Sequence, residues 1–201
     1  MVKTRNLMHL GSGKRRHGRG QSLVEFALVF PIFFVLLMGM IEFGLVFNAL
    51  LSINFASRDA SLIAAEAGNA VGSDCVILKK VEDAIGPPAS TARVTEVRIY
   101  KADKNGLPTG AVNVYPRSGS TPCTLPGGIA WTAPYNLTSG GYLETNRCNI
   151  QAGCGSGGVD TIGVRITYHY TPFTPLGSFI GLGTTDYTMV ESNAMRMEPV
   201  L

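Results

Sequence analysis

No aspartate or glutamate precedes Glu25, and the 201-residue chain carries only three histidines, His9, His17 and His169. Two of these lie in a basic N-terminal stretch and the third in a strand-like run, so they assemble neither a His-rich metal site nor a Ser-His-Asp triad. The four cysteines lack the short C-x2-4-C spacing of a zinc site. Gly153-Cys154-Gly155-Ser156-Gly157-Gly158 lacks the lysine and the following helical pattern of a phosphate-cradling loop. Asp103-Lys104-Asn105-Gly106 opens like a calcium loop but is not followed by the later acidic ligands, which leaves a turn. Neither catalysis nor a metal or other cofactor is expected.

What the chain does have is a long apolar run. It is uncharged from Ala27 to Ile41 and apolar for about 22 residues from Phe26 to Phe47 apart from Glu42, enough to cross a hydrocarbon core of roughly 30 Å as a helix. A removable secretory signal has a shorter apolar region ending at small residues, so the run reads as an anchor in the lipid bilayer. Lys3, Arg5, Lys14, Arg15, Arg16 and Arg19 precede it, which places the N-terminus in the cytoplasm. Removing those six from the 17 basic residues leaves 11 against 14 acids, so the outer part is about 3 units negative. The basicity is topological, and nucleic acid is discounted as a partner. All four cysteines, Cys75, Cys123, Cys148 and Cys154, follow the span, on the side where disulfides persist. Three connectivities are open. The preferred one joins Cys148 with Cys154 around a Gly-containing loop and ties Cys75 to Cys123; free, buried cysteines are the alternative.

At the junction, Arg19-Gly20-Gln21-Ser22-Leu23-Val24-Glu25-Phe26 resembles the cleavage site of type IV prepilins of the IVb class. Continuing through Pro31 and Ile41-Glu42-Phe43-Gly44, the span resembles the TadE-like pseudopilins of the tight-adherence (Flp) pilus system. The C-terminal Glu191-Ser192-Asn193-Ala194-Met195-Arg196-Met197-Glu198-Pro199 is similar to how many of them finish. The resemblance implies cleavage between Gly20 and Gln21 by a prepilin peptidase, and pairing of Glu25 with the free amine of Gln21 on a neighbouring subunit. It also implies a pilin-like architecture in the cytoplasmic (inner) membrane, with pilin subunits and other assembly membrane proteins as partners. A buried carboxylate costs about 2.5–3.5 kcal/mol on insertion scales, so a plain interfacial position for Glu25 is the alternative. Glu42 reaches either the outer head groups or a partner helix. Pro31 removes one backbone hydrogen bond and is expected to kink or loosen the helix.

The chain therefore divides into a basic leader (1–20), a transmembrane helix (21–47), its outer extension (48–70) and an α+β domain (71–201). In the extension, Phe47, Leu51, Phe55 and Leu62 form a stripe expected to pack on the protein's own sheet, with binding of a foreign partner as the alternative. A short helix is expected from Cys75 to Ile85, and a hairpin from Val94–Tyr100 and Ala111–Tyr115 about the turn at Ala102–Gly106. The Gly/Ser/Pro-rich region 117–158 is expected to be an irregular excursion, its Trp131, Tyr135 and Tyr142 forming either an exposed contact surface or a miniature core. Strands follow at Ile162–Tyr170 and Thr185–Met197. The expected fold is α+β, a long N-terminal helix continuing outside the membrane and packed on a small antiparallel sheet. The expected role is a minor pilin or assembly factor; the rivals are an uncleaved anchor carrying an envelope-binding module and an anchored envelope hydrolase.

Overall fold

The computed structural model describes residues 18–136, 139–149, 154, 158–175 and 186–197, and for residues 18, 19 and 139 the backbone alone. The leader cations Lys3, Arg5, Lys14, Arg15 and Arg16, with His9 and His17, lie outside the described residues. So do the loop tip at 150–153 and the terminal Glu198-Pro199.

Helix α1 runs Gly18–Ala67 as one 50-residue element with Pro31 inside it. It stops at Gly68, whose φ of 60° a side chain would strain. A Cβ there would also come 2.9 Å from Asn149 Nδ2. The chain forms two compact units, residues 1–40 and 41–201. The described part of the first is the N-terminal part of α1, and it is the apolar segment of the one helix, among the described residues, long and apolar enough to cross a membrane.

The second unit holds the rest of α1, helix α2 (Ser73–Ala84) and seven strands: β1 (Val94–Ala102), β2 (Pro108–Pro116), β3 (Thr121–Leu125), β4 (Ile129–Ala133), β5 (Ser139–Gly140), β6 (Thr161–Tyr170) and β7 (Tyr187–Arg196). Five form an antiparallel sheet in the order β5-β2-β1-β6-β7, and β3 pairs β4 separately. The α+β class, with a long helix on an antiparallel sheet, is as expected.

Period-two alternation places Ile162, Val164, Ile166, Tyr168 and Tyr170 of β6 in the core. Val97 and Ile99 of β1 stand opposite Ile166 and Val164. They meet a helix face of small residues, Ala49, Ala56, Ala60 and Ala64 with Ile53. On the other face of the sheet Tyr100 lies over Gly163, where a Cβ would sit 2.3 Å from the ring, and Arg165 stacks on that ring at 5.6 Å.

Two expectations are corrected. Phe47, Leu51, Phe55 and Leu62 do not face the sheet; with Phe43 they are 41–64% exposed. Alanine and serine lie against it instead, and the two serines Ser57 and Ser61 bond to Asn193 of β7. Region 117–158 is more regular than expected: β3 and β4 form a hairpin about Gly127 and Gly128, both at positive φ. The Gly-Gly pair after Pro126 is a turn signal that composition alone obscured.

Candidate functional site: helix α1 and the groups that hold it

Within the first unit the side chain of Gln21 donates to Glu25 Oε1 at 3.1 Å, an i,i+4 pair on an exposed helix surface. Phe26, Phe30 and Phe34 follow at the same spacing, with ring centroids 5.4 and 5.9 Å apart. Gly18–Gln21 is helical. The extended Arg19-Gly20-Gln21 that cleavage there would require is therefore not the conformation seen. Gly20 has open space around its Cα.

Glu42 opens the second unit with partners that sequence reading missed. Its Oε1 accepts the Tyr170 hydroxyl at 2.6 Å and the Phe173 backbone N–H at 3.2 Å, and its Oε2 accepts the Thr174 N–H at 2.7 Å. The carboxylate is thus held by the segment after β6 of its own chain. The available signal was Tyr170-Thr171-Pro172 at the end of the strongest strand, where a turn frees backbone donors.

Directly after Glu42, Phe43 and Phe47 pack with ring centroids 4.8 Å apart and tilted planes, and begin the exposed stripe. The opposite, buried face is tied by polar bonds to β7: Ser61 Oγ donates to the Asn193 carbonyl at 2.7 Å and Asn193 Nδ2 to Ser57 Oγ at 2.6 Å, while at its exposed edge Asn54 Nδ2 donates to Glu191 Oε2 at 3.1 Å. This fixes the helix's rotation, because turning it would leave buried hydroxyls and an amide without partners.

The Cys-bearing region is pinned in three ways. Disulfides join Cys75 to Cys123 and Cys148 to Cys154. Glu144 caps α2, accepting the backbone N–H groups of Gly72 and Asp74, each at 2.7 Å. A buried polar network centres on Asp74, which pairs with the fully buried Arg147 and accepts Asn113 Nδ2 at 2.8 Å and the Tyr115 hydroxyl at 2.5 Å. Arg147 also donates to Ser73 Oγ at 2.8 Å and lies 5.0 Å over the Tyr142 ring. The Tyr142 hydroxyl donates to Asp160, itself paired with Lys101 at 2.6 Å. Nearby, Arg117 grips Glu82 through both nitrogens at 2.6 and 3.1 Å, and the Tyr135 hydroxyl joins them at 2.5 Å.

Burial, with a carboxylate alongside each, pushes the phenols of Tyr115, Tyr135 and Tyr142 well above the usual range. Tyr135 and Tyr142 are therefore core, and Trp131 packs partly buried against it.

At Asp103, the backbone N–H groups of Leu107 and Asn105 close the turn at 2.9 and 2.8 Å and hold the carboxyl below its ordinary range. Among the described residues no group of His, Cys, Asp or Glu is placed to hold a metal ion.

A long apolar helix, bonded along one outer face to an antiparallel sheet and bare along the other, defines a pilin-like α+β protein with a candidate membrane span. The family model described as TadE-like protein matches residues 20–62. Over that segment, from Gly20 through the exposed stripe, the chain is similar to the TadE-like family. Neither curated proteins nor solved structures gave a match.

Proposed function

We propose that this protein is a minor pilin or assembly factor of a tight-adherence pilus or a related secretion machine. In this reading it sits in the inner membrane with its N-terminus cytoplasmic, and a prepilin peptidase cuts it after Gly20. The observation that carries the reading is the stripe Phe43, Phe47, Leu51, Phe55 and Leu62, which leaves large apolar side chains uncovered along the helix beyond Glu42. A contiguous apolar surface of that kind marks an interface, and the spacing of four fits a helix from a neighbouring subunit. The family match over the same residues supports it. Processing would free the amine of Gln21, one helical turn from Glu25, and leave that carboxylate to meet a neighbour's amine.

One observation favours the uncleaved anchor: the Gly20–Gln21 bond lies within the first turn of α1. The deciding experiment is the N-terminal sequence and intact mass of the protein from membranes with and without the peptidase. A chain starting at Gln21 only when the peptidase is present is expected. An unchanged start in both membranes sinks processing and leaves the uncleaved anchor.

A further inference from the structure

We propose that the second unit holds an anionic phospholipid where α1 leaves the bilayer, with the lipid phosphate on Arg93 and its glycerol and upper acyl carbons in an adjoining apolar cavity. The proposal rests on the reading that α1 crosses a membrane.

The cavity measures about 420 Å³, and Ile41, Leu45 and Ala49, on successive turns of α1, form one wall of it. Pro88 and Ala89 close it on one side and Phe173 on another. Its depth follows from chain position. Ile41 is the last residue of the uncharged run, and the segment carrying Phe173 bonds Glu42, the next residue. From Ile41 to Ala49 the helix rises about 12 Å. The head-group layer on each side of a bilayer is about 5–7 Å thick. With Glu42, the first charge after the uncharged run, at head-group level, the cavity begins at the hydrocarbon edge and extends through the head groups, and its neighbour at that level is lipid.

Charge selects the kind of lipid. Glu42, the nearby acid, is already satisfied by three donors from its own chain. The charged group lining the cavity is Arg93. Its guanidinium lies 5.8 Å from the Tyr170 ring centroid, and its Nη1 donates to the Thr171 carbonyl at 3.1 Å. A guanidinium has five N–H donors in a planar fork, so it keeps donors in a geometry that suits a phosphate. Phe173 is 78% exposed, an unfavourable state in water and an ordinary one at an interface, where aromatic side chains anchor proteins at head-group level.

The test uses the full chain in nanodiscs in which phosphatidylglycerol is the minor lipid and phosphatidylcholine the major one, with a benzophenone amino acid at position 173. Irradiation and mass spectrometry are expected to find phosphatidylglycerol captured several-fold above its share of the bilayer. Arg93→Gln is expected to bring capture down to that share and Arg93→Lys to keep part of the preference. Arg98→Gln, on an exposed arginine of β1, leaves it unchanged. Capture in proportion to abundance by the wild type overturns the proposal, as does an adduct to a second copy of the chain in place of lipid. Alkaline carbonate extraction of the protein from membranes separates the two levels. An integrated chain with no lipid adduct at 173 sinks the lipid site alone, whereas an extracted chain sinks the membrane reading and the site with it.

Discussion

The two faces of α1 between Phe43 and Glu66 are built on opposite plans. The face against the sheet is centred on alanine, serine and Ile53, flanked by the partly buried Leu45, Val46, Leu50 and Ile63, and hydrogen bonds to Glu191 and Asn193 add to its apolar contacts. The face turned away carries three phenylalanines and two leucines. Side-chain size is thus inverted relative to burial. The outer face leaves its area uncovered by the chain itself.

The largest effect that would sharpen this contrast comes from Ile53, fully buried on the inner face. Ile53→Ala is expected to destabilise the full-length protein by about 2–5 kcal/mol, read by urea unfolding in detergent followed through tyrosine and tryptophan fluorescence. An unchanged midpoint would mean that the inner face does not hold the fold.

Adding bulk tests closeness directly. Ala60→Leu is expected to cost about 1–3 kcal/mol by overpacking, checked in the same titration. A neutral or stabilising result would break the claim that the helix needs small residues there.

Alkaline pH probes the polar network that holds the opposite end of the module. A phenol held above its unfolded value binds its proton more tightly when folded, so the stability it brings is complete below that value and drains as pH rises past it. With Tyr115, Tyr135 and Tyr142 all raised, unfolding is expected to become easier above about pH 10. Tyr142→Phe should flatten that slope. A stability flat through this range would contradict the burial of these hydroxyls.

The smallest effect on stability is expected on the outer face. Phe55→Ser should leave the unfolding midpoint within about 0.5 kcal/mol of wild type, while the variant falls out of crosslinked complexes with other pilus subunits. A large loss of stability would show that the stripe serves this chain's own fold.

Sequence patterning located the long helix, the second helix, the β1–β2 hairpin and the alternation of β6, because each is governed by local periodicity and turn residues. It failed on the direction of the stripe. Spacing of i, i+4 identifies a common face but not what that face meets, and the competing Ala49-Ile53-Ala56-Ala60-Ala64 face has too little apolar bulk to stand out. Glu42 was visible as an anomaly in an apolar run, yet its donors come from residues 128 to 132 positions away, beyond any local pattern. The β3–β4 hairpin was hidden by composition, since Gly, Pro and Thr read as loop even where a Gly-Gly turn aligns two short strands.

The bond from Ser61 to Asn193 spans 132 positions, and that gives the inner face of α1 a history as well as a structure. During synthesis and export the helix emerges long before β7 exists to cover it, so for that interval both of its faces are bare. A helix whose unfinished side carried the aromatics would cling to whatever nascent chain came first. Alanine and serine make that side a poor adhesive until its own strand arrives.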